Sequence, residues 1–273
     1  GLVGSEMCIR DRRHARSTFD RALHLAGAGI DDGSRGERVY QLYAVGIMLV
    51  WFVLMAAALV DAIQRAFAGL DAAVCAFAVQ AALLAVALVL LRGGIAGVRT
   101  APLKLSHPDI AYVAASMVSA RALAGVSAGA QALAAAAAGG AAGFLLGVGL
   151  ESASVLAVSP TVPALAGAAL AAAAVAPGWV AGFVRLSSAR WNRRNAAAAV
   201  AVLATFDASW CGAVLAASAD ALLAPTTFAG FAAGGLLVLV AAALALALLA
   251  PRVDMTRVID ENSPVSYTHL RAH

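Results

Sequence analysis

Six long apolar blocks, separated by short polar segments, organise this sequence. Each block is about 20 residues or longer, the length at which an α-helix crosses about 30 Å of hydrocarbon. Strands of a membrane β-barrel would instead alternate apolar and polar positions over about 10 residues. The pattern therefore predicts six transmembrane helices, near residues 43–63, 71–91, 122–150, 162–184, 197–219 and 229–250. The third block is longer than a perpendicular crossing needs, so its helix should tilt or project beyond the bilayer.

The composition favours a membrane protein over a soluble domain. Of the 273 residues, 62% are hydrophobic and 12% are charged, whereas soluble domains have about 45–50% apolar and about 25% charged residues. One soluble core of this length cannot hold so much apolar surface, so lipid must cover part of it. We therefore expect an all-α, polytopic integral membrane protein.

Basic residues predict which loops face the cytoplasm. With the N-terminus inside, 18 of the 19 Lys and Arg residues fall in cytoplasmic segments, and Arg65 is the exception. The external segments instead carry Asp61, Asp71, Glu151 and Asp220. Losing any interior span would place a basic loop on the wrong side. The charges thus favour six spans with both ends in the cytoplasm. The dominance of alanine indicates a gene from a GC-rich bacterium, so the expected location is the plasma (inner) membrane.

The same pattern predicts how the chain is divided. Residues 1–42 form a cytoplasmic arm, and residues 43–250 form the six-helix domain with cytoplasmic loops 92–121 and 185–196. Residues 251–273 form a cytoplasmic tail. The terminal strings GLVGSEMCIRDR and PVSYTHLRAH resemble translated sequencing-adapter DNA, so residues 1–12 and 264–273 are expected to be foreign; ordinary polar termini are the alternative. Whether further spans follow residue 263 is left open.

The segment between the second and third blocks contains a helix-start signal. Ser106 can cap a helix, Pro108 suits its first turn, and Asp109 stands three residues after the cap, as in a capping box. Polar residues then recur on one helical face, at Asp109, Tyr112, Ser116 and Ser119. The pattern predicts a short helix at the cytoplasmic interface. The alternative is a connector that only positions two spans.

This segment also carries a family resemblance. The string APLKLSHPDIAYVAASMVSARALAG resembles the cytoplasmic loop of actinobacterial permease subunits of type-2 ABC exporters. Met117 departs from the family, which often has Pro there. A second string, GWVAGFVRLSSARW, is similar to the cytoplasmic end of a later span. The positions that match the loop are Pro102, Leu105, Ser106, Asp109, Tyr112, Ser116, Val118, Ser119 and Arg121.

The resemblance implies a function and partners. In such permeases a cytoplasmic helix between the second and third spans meets the ATPase subunit. The implied partners are a separate ATPase, membrane lipid, and a second permease that is either a copy of this chain or a different one. The implied coupling residues are Ser106, Asp109, Tyr112, Ser116, Ser119 and Arg121.

The sequence lacks the motifs of catalysis and cofactor binding. No GxxxxGK[ST] string is present, so nucleotide hydrolysis would come from another polypeptide. Neither HExxH nor GxSxG occurs. Cys8, Cys75 and Cys211 share no metal-like or CxxC spacing. We therefore expect no catalytic residue, no cofactor and no metal on this chain, and the net charge of +4 is explained by cytoplasmic loops rather than by nucleic acid.

Asp207 is the main candidate for an intramembrane site. It lies inside the fifth block, close to Trp210, and a carboxylate at membrane depth is by default a functional hypothesis. It could be protonated, line a cavity or pair with a neighbouring Arg; the structural alternatives are a break in the span or a wet seam between helices. Gln80 and Gln131 are milder intrusions, for which interhelical hydrogen bonds are expected.

Small residues and prolines predict how the spans pack. Small-xxx-small pairs permit close helix approach, although in so alanine-rich a chain they arise from composition alone. Pro160 and Pro163 should mark the outer start of the fourth span, and Pro177 should kink its inner end. The glycine pairs are Gly125 with Gly129, Gly139 with Gly143, Gly143 with Gly147, and Gly230 with Gly234.

Two classes of function remain after these exclusions. The first is the membrane-spanning permease subunit of an ABC-type exporter that works with a separate ATPase on an unknown substrate. The second is a non-transporting membrane scaffold or anchor, which the bland composition suits equally well. A membrane enzyme would need a polar cluster that this sequence lacks. Asp207 favours transport, because a scaffold has no need of an intramembrane carboxylate.

Overall fold

The computed structural model describes residues 35–100, 102, 120–155, 159–187, 193–253 and 256–258. Helix accounts for 92% of these residues and they contain no strand, which confirms the all-α class. Six of the helices are long and apolar enough to cross a membrane. The chain is thus a polytopic membrane protein with the number of spans that the apolar blocks predicted.

Seven α-helices and one short 3-10 turn make up the described part of residues 35–252, and residues 256–258 are also helical. Ser106, Asp109, Tyr112, Ser116 and Ser119, with the capping pattern predicted for them, lie outside the described residues. The helices are α1 (Arg35–Phe67), α2 (Ala72–Arg99), α3 (Ala120–Ser152), α4 (Thr161–Ser187), α5 (Arg193–Ala216), α6 (Ala219–Leu223) and α7 (Pro225–Leu249), followed by the turn Ala250–Arg252.

Several helix ends differ from the predicted spans. Helix α2 continues to Arg99, past the predicted end at residue 91, so Arg92 lies within the helix. The predicted fifth span, 197–219, is displaced, because α5 ends at Ala216 and Ser218 caps α6 by accepting a hydrogen bond from the Ala221 amide at 3.3 Å. Helix α7 starts at Pro225, whose missing N–H suits a first helical position.

The chain forms two units, residues 1–59 and 60–273. In the first, the described part of α1 carries large apolar side chains that are exposed all around the helix, Tyr40, Trp51 and Phe52 among them. Such a helix needs lipid or protein to cover it. In the second unit, α4 is central and packs against α2, α3 and α7, while α5 packs against α2.

Buried side chains of the second unit form two clusters. One joins Cys75, Val79 and Leu83 of α2 to Leu150 of α3 and Phe228 of α7. The other surrounds Trp179, Phe183 and Leu186 of α4, with Ala124 and Ala250 packed against them. Helix α4 contributes to both clusters, through Ala166 in the first and its aromatic residues in the second. It therefore links the two halves of the core.

Glycines bring α4 close to its neighbours. A Cβ added at Gly139 or Gly143 of α3 would overlap backbone atoms of Gly167 or Pro163, and one added at Gly147 would lie 2.9 Å from the Pro160 Cα atom. Gly97 of α2 meets Gly178 of α4 in the same way. Two of the predicted small-xxx-small pairs therefore mediate tight helix packing.

The other two glycine pairs do not pack. Around Gly125, Gly129, Gly230 and Gly234, a Cβ would meet no atom within 4 Å. All four positions border cavities between helices instead. The prediction of close packing is therefore wrong at these positions, because the spacing of small residues does not reveal which helix face meets a neighbour.

Both intramembrane glutamines form the interhelical hydrogen bonds that were expected. The Trp179 indole N–H of α4 donates to the Gln131 side-chain oxygen of α3 at 2.9 Å. The Gln80 side chain of α2 donates to the Val214 carbonyl of α5 at 3.2 Å. These bonds satisfy polar groups that water cannot reach in hydrocarbon.

Arg65, the exception to the predicted charge asymmetry, is paired locally. Its guanidinium contacts the Asp61 carboxylate one turn earlier on α1, and both side chains are mostly exposed. The pair carries no net charge. Arg65 is therefore compatible with the predicted external position of this end of α1.

The orientation predicts opposite labelling in the segments that precede and follow α5. In a variant without Cys8, Cys75 and Cys211, we expect Ser218→Cys to react with a membrane-impermeant maleimide on intact cells. Ser187→Cys, at the end of α4, should react only after the cells are permeabilised. The reverse pattern would invert the topology, and equal labelling would mean that α5 does not cross the membrane.

Glycine packing predicts unequal effects of Gly→Ala changes within α3. Gly143→Ala should lower the free energy of unfolding by about 1–3 kcal/mol, because the new methyl group must displace the Pro163 backbone. Gly129→Ala should leave stability unchanged or raise it slightly, since its surroundings are open and Ala is the better helix former. Thermal unfolding in detergent micelles compares them, and equal losses would contradict the packing described.

Candidate functional site

The coupling residues predicted for the 92–121 loop cannot be placed, apart from one. Arg121 lies in the first turn of α3, and its side chain is outside the described part of the molecule. Of the predicted site residues, Asp207 therefore remains to be located.

Asp207 lies in α5 and is 8% exposed, and it is the one buried charged residue in the described part of the chain. Its Oδ1 atom is buried and has no hydrogen-bond partner. A break in the span can be excluded as its setting, because α5 is continuous from Arg193 to Ala216. The carboxylate is thus held at membrane depth by an intact helix.

A cavity of about 360 Å³ adjoins Asp207. We call it the Asp207 cavity. Its walls come from α2, α4, α5 and α7, and no Lys, Arg or His lines it. An unpaired ionised carboxylate in a low-dielectric medium costs several kcal/mol, and the described lining supplies no cationic partner for Asp207. The predicted alternative of an Arg partner is not found among the described residues of the lining.

Trp210 fixes the face of α5 that carries Asp207. The two residues are three positions apart and so lie on one side of the helix. The Trp210 indole N–H donates to the Leu83 carbonyl of α2 at 3.4 Å, and its ring centroid lies 5.7 Å from that of Phe231 on α7. With the Gln80–Val214 bond, these contacts set the rotation of α5 and hence the position of the carboxylate.

Pro177 of α4 lines the cavity and interrupts the hydrogen bonding of its helix. It lies inside α4, and the helix continues past it to Ser187. A proline has no N–H, so it cannot donate the helical bond that the carbonyl four residues earlier would accept. That carbonyl belongs to Ala173, which lines the Asp207 cavity together with Pro177. Asp207, Pro177 and Ala173 therefore line the same space.

Small residues keep the cavity open on the α7 side. Gly230 and Gly234 line it, and a Cβ at either would meet no atom within 4 Å. Gly235, the next residue, contacts the Ala169 backbone of α4, where an added Cβ would lie 2.7 Å from the carbonyl carbon. Of these three glycines of α7, Gly235 therefore packs against α4, whereas Gly230 and Gly234 leave space beside them.

The remaining described chain offers no rival chemistry. It contains no group of three or more His, Cys, Asp or Glu residues that could hold a metal ion. Another cavity, of about 380 Å³, lies between α3, α4 and α7, but its lining has no charged side chain. Asp207 and its surroundings are therefore the candidate site.

Sequence reasoning found Asp207 and named a cavity as one of its alternative settings, but it did not identify the walls of that cavity. Pro177 was interpreted as a kink and the Gly230–Gly234 pair as a packing motif. Neither pattern signals a cavity wall, because the residues that line a space are known only once the neighbouring helices are placed. Trp210 was noted for its proximity to Asp207, and its bond to α2 could not be foreseen.

No family model, curated protein or solved structure matches this chain. Its fold and site nevertheless define a class. It is a multi-pass α-helical membrane protein with a buried, unpaired carboxylate beside an interhelical cavity.

Two polar side chains within the spans, Gln131 and Asp207, should respond oppositely to replacement by leucine. Gln131→Leu leaves the Trp179 N–H without its acceptor and should lower the free energy of unfolding by about 1–3 kcal/mol. Asp207→Leu removes an unpaired group and fills open space, so stability should stay the same or rise. Thermal unfolding in detergent compares them, and a large loss for Asp207→Leu would show that the carboxylate has a structural partner.

Proposed function

We propose that this membrane protein is the permease subunit of an ABC-type exporter and that the Asp207 cavity lies on its substrate path. The observation that carries the proposal is the buried carboxylate whose Oδ1 has no partner. Proteins retain such groups in membranes mainly where ions, protons or substrates interact with them.

The cost of Asp207 argues for transport over scaffolding. A scaffold gains nothing from an unpaired carboxylate, and leucine would fill the same position without the desolvation penalty. A transporter, by contrast, needs a site that is incomplete until its substrate arrives. The open glycine wall of α7 supports this interpretation, because it leaves room beside the carboxylate.

The choice of an ABC exporter rests on the resemblance of the 101–125 string. By that resemblance, the segment with Asp109 and Tyr112 docks onto the ATPase and transmits its movement to α3, which begins at Ala120. The chain has no GxxxxGK[ST] motif, so ATP hydrolysis is assigned to a separate subunit. The proposed location is the plasma membrane, with the ATPase on its cytoplasmic side.

Site-specific photocrosslinking tests the ATPase partner without knowledge of the substrate. p-Benzoylphenylalanine at Tyr112 is expected to crosslink, in membranes of the native host, to a polypeptide that contains a GxxxxGK[ST] motif. The same group at Asp220, on the predicted external side, is the matched control and should not. The crosslinked polypeptide is identified by mass spectrometry.

The outcomes separate the two classes of function. A Tyr112 adduct with an ATP-binding subunit and none from Asp220 supports the exporter. Adducts only with proteins that lack nucleotide-binding motifs would instead favour a scaffold, and an ATPase adduct from Asp220 would contradict the predicted orientation.

A further inference from the structure

We propose that the Asp207 cavity is a binding site for an organic ammonium ion with an apolar body, of the size of an arylalkyl amine. The proposal names the charge, the size and the shape of the ligand from three features of the cavity. That such amines are the transported substrates rests on the exporter function proposed above. That they bind in the cavity does not depend on it.

The positive charge follows from the polar groups around the cavity. Asp207 is its one charged lining residue, and the Oδ1 atom lacks a partner. A carboxylate oxygen without a donor suits a ligand that brings N–H donors, and an ammonium ion supplies both the donors and a positive charge.

The size of the cavity excludes a bare inorganic ion as its full occupant. Its volume of about 360 Å³ falls in the range of small-molecule pockets, about 300–1,000 Å³. A water molecule has a share of only about 30 Å³ in the liquid. Apart from Asp207, the side chains that line the cavity are apolar or aromatic, Val86, Leu90 and Phe206 among them. The ligand must therefore carry an apolar body beside its charged head.

Aromatic rings stand next to the carboxylate. Trp210 and Phe231, whose ring centroids are 5.7 Å apart, both line the cavity. Aromatic faces attract cations and also stack on aromatic ligands. An amine with an aryl group can thus place its ammonium near Asp207 and its ring near these side chains.

Binding of radiolabelled 2-phenylethylamine to the full chain in lipid nanodiscs tests the site. We expect saturable binding that the uncharged analogue 2-phenylethanol does not compete for at equal concentration. Asp207→Asn, which removes the charge but keeps the shape, should weaken binding by at least about tenfold. Gly234→Leu should abolish binding by filling the cavity, because its Cβ has open space in front of it.

Gly129→Leu is the matched control. Gly129 is also uncovered and borders the uncharged cavity of about 380 Å³ between α3, α4 and α7. This variant should bind 2-phenylethylamine as the unchanged protein does. Size-exclusion chromatography and thermal unfolding verify that all three variants remain folded.

Each result either supports or overturns the amine site. The amine site is refuted if 2-phenylethylamine does not bind to the unchanged protein. A cavity that accepts only inorganic cations would give this result. Equal competition by 2-phenylethanol would identify an apolar cleft, and binding that persists in both Asp207→Asn and Gly234→Leu would place the amine elsewhere. If position 112 crosslinks to an ATP-binding subunit but the amine does not bind, only the amine site is refuted. If the amine binds but no such crosslink forms, only the exporter function is refuted.

Discussion

Backbone hydrogen bonding in hydrocarbon is the constraint on which this structure depends. No water is present at membrane depth, so each N–H and C=O group must find a partner within the protein, and a helix satisfies its own. Lipid tails are as apolar as the side chains, and hydrophobic burial therefore no longer drives helices together. Association depends instead on close fit and on a few interhelical hydrogen bonds.

Helix α4 shows how this constraint is met. Glycines at the α3–α4 and α2–α4 contacts let backbones approach where any Cβ would collide. The Trp179–Gln131 bond then joins α4 to α3 through polar groups. Because the fit is made by main-chain atoms, a single added methyl group disturbs it more than the loss of one would in a soluble core.

The candidate site departs from the same constraint twice. Asp207 has an oxygen without a partner, and Pro177 deprives the Ala173 carbonyl of its helical donor. Asp207, Pro177 and Ala173 line a space that Gly230 and Gly234 leave open. A buried carboxylate oxygen without a partner beside such a space is the physical basis for treating the cavity as a candidate site.

The sequence by itself determined the class, the number of membrane-spanning helices and the position of the buried carboxylate. Continuous apolar blocks can form only helices in lipid, and Asp207 stands within one of them whatever its neighbours are. Helix ends were less predictable, since α2 continues to Arg99 through glycines that pack on α4. Only the tertiary structure decided which glycines pack and which stay open. Gly143 and Gly230 have the same local pattern, and they differ because one meets the Pro163 backbone while the other meets a cavity.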